Sequence, residues 1–163
     1  MPSARTNESP QATHNAREER LKKKYYRLVG PPVFREVRVA DHGADSEYRW
    51  VDAVHILGIK RVARFEVRGD RSRQRFRQLV SGRKVEVIEA KRKLNRSVIG
   101  QALVAKHLFE FEYPKARAVF PVVICEESDV VLKKVCDRMG IKVKAFPLRR
   151  QVKRAASSGL SGS

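Results

Sequence analysis

The sequence predicts an α/β protein: a mixed central β-sheet flanked by helices. Three observations carry this. Segments that alternate with a period of two come first, in a run, and their side chains divide between two faces. Later apolar, β-branched segments alternate with stretches of helical period, the layout of a sheet with helices on its faces. Finally, 42% of the 163 residues are hydrophobic, enough for one core that needs no disulfide to hold it.

Each element has its own signal. Residues 16–29 suit a charged helix with Leu21, Tyr25 and Leu28 on one buried stripe, ended by Gly30-Pro31-Pro32. Residues 33–40 alternate, with Val33, Arg35, Val37 and Val39 on one face and Phe34, Glu36 and Arg38 on the other. A turn is expected over 41–45, around Gly43. Residues 48–56 form a stronger strand, with Tyr48, Trp50, Asp52, Val54 and Ile56 sharing a face. Gly58 follows, then a candidate third strand over 61–67 and a basic, partly helical connection over 69–82. Residues 84–91 are the clearest central strand, where Val85, Val87 and Ile88 supply β-branched content. In 97–109, Val98, Leu103, Val104 and Leu108 cover more than one helix face, which predicts a largely buried helix. Residues 117–125 read as an internal strand. Ser128 is the expected N-cap of a helix over 129–139, which Gly140 stops, and 141–146 give the last strand. The domain is therefore placed at 16–148. Residues 1–15 are read as a flexible N-terminal tail, and 149–163 as a C-terminal tail that is first basic and then flexible.

Thirty-six Lys and Arg against 18 Asp and Glu leave a formal charge of +18. Such an excess costs self-repulsion in the compact state and points to an anionic partner, with nucleic acid first. A membrane partner is not expected: no segment approaches the roughly 20 apolar residues of a span, and no amphipathic helix has a clean apolar face. Cys125 and Cys136 lie in apolar surroundings at no zinc spacing, so they read as reduced core residues. No apolar stretch resembles a secretory signal, and Glu8, Glu18 and Glu19 argue against a transit peptide. The expected location is cytoplasmic, in association with nucleic acid.

The chemistry is concentrated in Val85-Glu86-Val87-Ile88-Glu89-Ala90-Lys91. On a strand, Val85, Val87, Glu89 and Lys91 point to one face, and residues two apart lie about 6.5–7 Å apart. A carboxylate and an ammonium therefore emerge together near the strand's end. Asp52 sits among apolar neighbours on its own strand, where a carboxylate is costly unless bonded, paired or metal-bound. Two carboxylates and a lysine are what phosphodiester hydrolysis asks for. The carboxylates hold a hard divalent cation, the cation polarises the phosphoryl oxygen, and the lysine offsets developing charge. The plainer alternatives are a Glu89–Lys91 ion pair at a strand end and an Asp52–Arg pair inside the domain. His55 and His107 have no spaced partner and read as packing or surface residues.

An acid on one strand, then Glu-x-Lys on a later strand, then a helix, resembles the PD-(D/E)xK, or restriction-endonuclease-like, nuclease superfamily over residues 33–146. The resemblance implies a metal-dependent nuclease, with DNA as the expected substrate and Mg²⁺ or Mn²⁺ as cofactor. It matches Asp52 to the first acid and Glu89 and Lys91 to Glu-x-Lys, and so assigns Asp52 and Glu89 as metal ligands. Gln101 resembles the helix glutamine of some branches and would position water or substrate. No proline precedes Asp52, and Ala105 stands where some branches carry Tyr. The superfamily often adds a helix glutamate, for which Glu18 and Glu19 both qualify. Many such nucleases are dimers, which makes a homodimer compatible with the resemblance. Arg92, Lys93, Asn95, Arg96 and Lys106 are the expected nucleic-acid contacts, with Arg71, Arg73, Arg75, Arg77, Arg83 and Lys84 extending a positive rim. The rival readings are a non-catalytic nucleic-acid-binding module on the same fold and an interaction scaffold with an incidental basic surface.

Overall fold

A five-stranded mixed sheet in the order β1-β2-β3-β4-β5 organises the computed structural model, which describes residues 10–40, 49–60, 62 and 65–147. The elements are α1 (Pro10–Val29), β1 (Val33–Ala40), β2 (Arg49–Ile56), α2 (Asp70–Val80), β3 (Lys84–Ala90), α3 (Arg96–Glu112), β4 (Ala118–Cys125), α4 (Val130–Arg138) and β5 (Lys142–Ala145). β1, β2 and β3 pair antiparallel, whereas β3, β4 and β5 pair parallel. The α/β class with a mixed, helix-flanked sheet is thus observed.

Both sheet faces are covered. On one, Leu21 and Tyr25 of α1 pack on Ala53, Ile88, Ala90, Val122 and Ile124. On the other, Phe76 and Val80 of α2 and Phe109 of α3 meet Phe34, Val54, Ile56, Val85 and Val87. Farther along that face, Val98 and Ala102 of α3 and Cys136 of α4 pack on Val123 and Cys125. Both cysteines are free and buried, as expected of core residues, and burial pushes the Cys125 thiol up to about 11.

Several expectations need correction. α1 begins at Pro10, inside the stretch read as a tail, and its buried pair is Leu21 and Tyr25, because Leu28 is 62% exposed. The alternation of β1 breaks at Glu36, whose φ of 47° lies in the left-handed region. That residue turns the strand so that Phe34, Val37 and Val39 all join one core. Of 61–67, the described residues 62 and 65–67 are not strand, and 61, 63 and 64 lie outside the described residues. The basic connection contains a full helix, α2. On α3 the buried positions are Val98, Ile99, Ala102, Ala105 and Phe109, one face at helical spacing, while Val104 is exposed. Asp129, rather than Ser128, caps α4 by accepting from Leu132 N–H at 2.8 Å. The turn expected over 41–45, together with Tyr48 and the segment 149–163, lies outside the described residues.

Candidate active site at the carboxyl end of β3

β2 and β3 bring the acids together. Their register pairs Ala53 with Ile88 and Val54 with Val87, and its next step sets Asp52 opposite Glu89. Asp52 Oδ2 accepts from the Ala90 N–H at 2.8 Å, which fixes the carboxylate beside the end of β3. Asp52, Glu89, Lys91 and Gln101 line one hollow of about 480 Å³, closed on the far side by α3 at Gly100 and Val104. All four predicted site residues therefore meet in one place.

Their bonding differs from the sequence expectation. Lys91 pairs with Glu18 of α1, Nζ to Oε1 at 3.3 Å, and not with Glu89. Asp52 pairs with a lysine and not an arginine: Lys22 Nζ stands 3.0 Å from Oδ1. Burial works against the Lys22 ammonium, but Asp52 and then Glu19 outweigh it and hold its pKa above the ordinary value. Glu89 makes no hydrogen bond or ion pair among the described residues. Its burial, with Asp52 the next contributor, pushes its carboxyl up to about 8, although Lys91 and Lys22 pull the other way. Glu18 adds to the repulsion, so of the two helix glutamates it is Glu18 that faces Glu89. Glu19 instead bonds Lys22 at 3.1 Å and pairs with Arg35.

Among the described residues no group of three His, Cys, Asp or Glu side chains is poised to hold a metal ion. The donor set nevertheless fits a hard divalent cation. Asp52 and Glu89 offer only oxygen, and burial together with the neighbouring Asp52 raises the carboxyl of Glu89, an effect that a cation between them would reverse. Lys22 now supplies the positive charge at Asp52.

The expected nucleic-acid contacts separate into two kinds. Arg96 is exposed and makes no ion pair among the described residues. Arg92 and Lys93 are tied to Glu127 at 3.1 and 3.0 Å, and Lys106 to Glu110 at 3.1 Å. Asn95 is the N-cap of α3: its side-chain oxygen accepts from Val98 N–H at 2.9 Å. Trp50, expected to share a strand face with Asp52, Val54 and Ile56, is 44% exposed and lines the hollow beside Arg49. Spacing could not show this, since the strand pattern says which face a residue shares and not where the covering helix stops. Of the wider rim, Arg73 and Arg77 turn to Glu112 at the far end of α3, and Arg75 lies over the Phe65 ring. Arg83 and Lys84 stand at the opposite end of β3 from Glu89.

No protein-family profile matches the sequence, and no curated protein is significantly similar to it. Among solved structures the chain is similar to a repair endonuclease from Pyrococcus abyssi, at 14% identity and a TM-score of 0.47. The match covers 89% of this chain but only 50% of the other, so this chain spans about half that protein's length. The likeness lies in the chain path alone.

Proposed function

We propose that the protein is a metal-dependent nuclease of the PD-(D/E)xK type that hydrolyses phosphodiester bonds in DNA. One observation carries the reading most: Glu89 is kept half-buried and unbonded beside Asp52, at the mouth of a hollow that Lys91 and Gln101 also reach. A fold under no functional demand gains stability by losing such a carboxyl, so its presence argues for a use.

Asp52 and Glu89 would hold Mg²⁺ or Mn²⁺, which supplies Lewis acidity to the phosphoryl oxygen. The chain's own residues do the rest. Lys91, on leaving Glu18, presents an ammonium to the charge that develops on the phosphate. The exposed Gln101 amide can donate to a phosphate oxygen or orient the attacking water. Arg49 and Arg96 hold backbone phosphates, and Trp50 offers a ring face on which a base can stack.

The test is cleavage by the purified protein with Mg²⁺ or Mn²⁺. The wild type is expected to cut DNA and EDTA to stop it. Glu89→Gln and Lys91→Ala should abolish cutting while leaving DNA affinity within about threefold, because phosphate binding rests on other residues. A folded wild type that cuts neither DNA nor RNA with either metal rejects the catalytic reading and leaves a nucleic-acid-binding module.

A further inference from the structure

The end of the sheet opposite the candidate active site is also built to meet an anion. The parallel strands β3, β4 and β5 all begin there. Backbone hydrogen bonds lace the approach to β3 to the approach to β4: Gly82 N–H donates to Lys115 O at 2.8 Å, and Arg117 N–H to Arg83 O at 2.8 Å. Arg83 and Arg117 are thereby set side by side, about 5 Å apart across neighbouring strands. Lys84 and Lys115 flank them. All four side chains are exposed, and none makes an ion pair among the described residues. The carboxylates nearest in the chain are already engaged: Glu86 is buried and bonded by Lys142 at 2.7 Å, and Glu112 pairs with Arg77. Four like charges on a fixed backbone, with no counter-charge of their own, repel one another and are relieved only by a partner.

We infer that Arg83, Lys84, Lys115 and Arg117 form a second nucleic-acid surface, which grips the sugar-phosphate backbone of a segment other than the one lying at Asp52 and Glu89. The inference rests on nucleic acid being the partner of this basic chain, and not on the cutting chemistry. Its geometric ground is the separation of the two ends. Lys84 and Glu89 are five residues apart on one strand, roughly 17 Å at the usual rise. The sheet faces between them are covered by α1 on one side and by α2, α3 and α4 on the other. A straight duplex therefore cannot lie along the sheet and touch both ends. Backbone contact is favoured over base readout because flexible, exposed cations at strand ends carry no groove-shaped element. It is favoured over a lipid surface because the exposed Phe111, which shares a hollow with Lys115, is a single apolar side chain and too little to hold the domain in a bilayer.

The experiment titrates the whole protein, in EDTA at low salt, with a fluorescent 10-base-pair duplex and counts duplexes bound per chain. Two are expected for the wild type. One is expected when Arg83, Lys84, Lys115 and Arg117 are all replaced by Gln, with the salt slope of log K shallower by up to about three units. The four side chains are exposed, so unchanged circular dichroism and melting temperature serve as the folding check. Metal-dependent cutting of the same short duplex should be equal in both proteins. A wild type that binds two duplexes but cuts none keeps this inference and removes the nuclease reading. Unchanged stoichiometry and slope in the four-Gln protein overturn it. So does a variant that loses binding only to phosphatidylserine vesicles, which would make this end a membrane contact.

Discussion

Glu89 and Asp52 stand side by side, yet only Asp52 is satisfied, by Lys22 and by the Ala90 N–H. The raised carboxyl of Glu89 makes this visible in stability. Its folded value of about 8 exceeds the ordinary 4.5, so the folded protein keeps a proton that the unfolded chain releases. Stability should therefore fall as pH rises from about 4.5 to 8 and lose no more from this group above that. In EDTA, Glu89→Gln should melt with the wild type at pH 4 and roughly 10 °C above it at pH 9. A Gln variant that melts lower at both pH values would mean the carboxyl has a bonding partner. Asp52→Ala has the opposite sign. It leaves the buried Lys22 ammonium with Glu19 alone and strands the Ala90 N–H, and should cost roughly 2 kcal/mol, or about 4–8 °C. An unchanged melting temperature in that variant would show that neither bond contributes. Strand alternation and one helix sufficed for the sequence to bring Asp52, Glu89, Lys91 and Gln101 to one hollow. The sequence could not choose between Glu18 and Glu19, adjacent on a helix whose rotation about its axis only packing sets.

At the level of elements, α1 is fixed to the sheet by a buried polar cluster as well as by Leu21 and Tyr25. Tyr25 Oη donates to Glu86 at 2.9 Å, His55 Nδ1 approaches the same oxygen at 3.0 Å, and Lys142 Nζ bonds the other oxygen. Burial opposes ionisation of Glu86, but the bonds from His55, Lys142 and Tyr25 outweigh it and hold its carboxyl down at about 2. For a lowered carboxyl the stabilisation is fully present above about 4.5 and is lost as pH falls toward 2. Replacing Glu86 by Gln should flatten the drop in melting temperature between those values, and Tyr25→Phe should lower the melting temperature at pH 7 by about 1 kcal/mol's worth, some 2–4 °C. An acid limb as steep in the Gln variant as in the wild type would place the acid sensitivity elsewhere. Nothing in the sequence pointed to this cluster. His55 looked solitary because Glu86 lies on another strand, and only the β2–β3 register pairs the two. The regular alternation that located β1 also misled at Glu36, since a left-handed residue in a strand leaves no mark in a pattern of polar and apolar positions.

For the molecule as a whole, the charge of +18 was the plainest signal, but its distribution depends on the fold. Arg92 and Lys93 looked like the heart of the nucleic-acid contact, yet both are held by Glu127. Removing that pair should flatten the salt slope by less than one unit, whereas Arg49→Gln with Arg96→Gln should flatten it by nearly two. Equal effects from the two double variants would show that the Glu127 pairs open on binding. We propose above all that Asp52 and Glu89 form a divalent-metal site in which Lys22 stands in for the ion. The direct measurement is the anomalous density of crystals soaked in Mn²⁺. We predict a peak between the two carboxylates, with the Lys22 ammonium displaced from Asp52. A map at saturating Mn²⁺ with no peak there, and with Lys22 still bonded to Asp52, would contradict it.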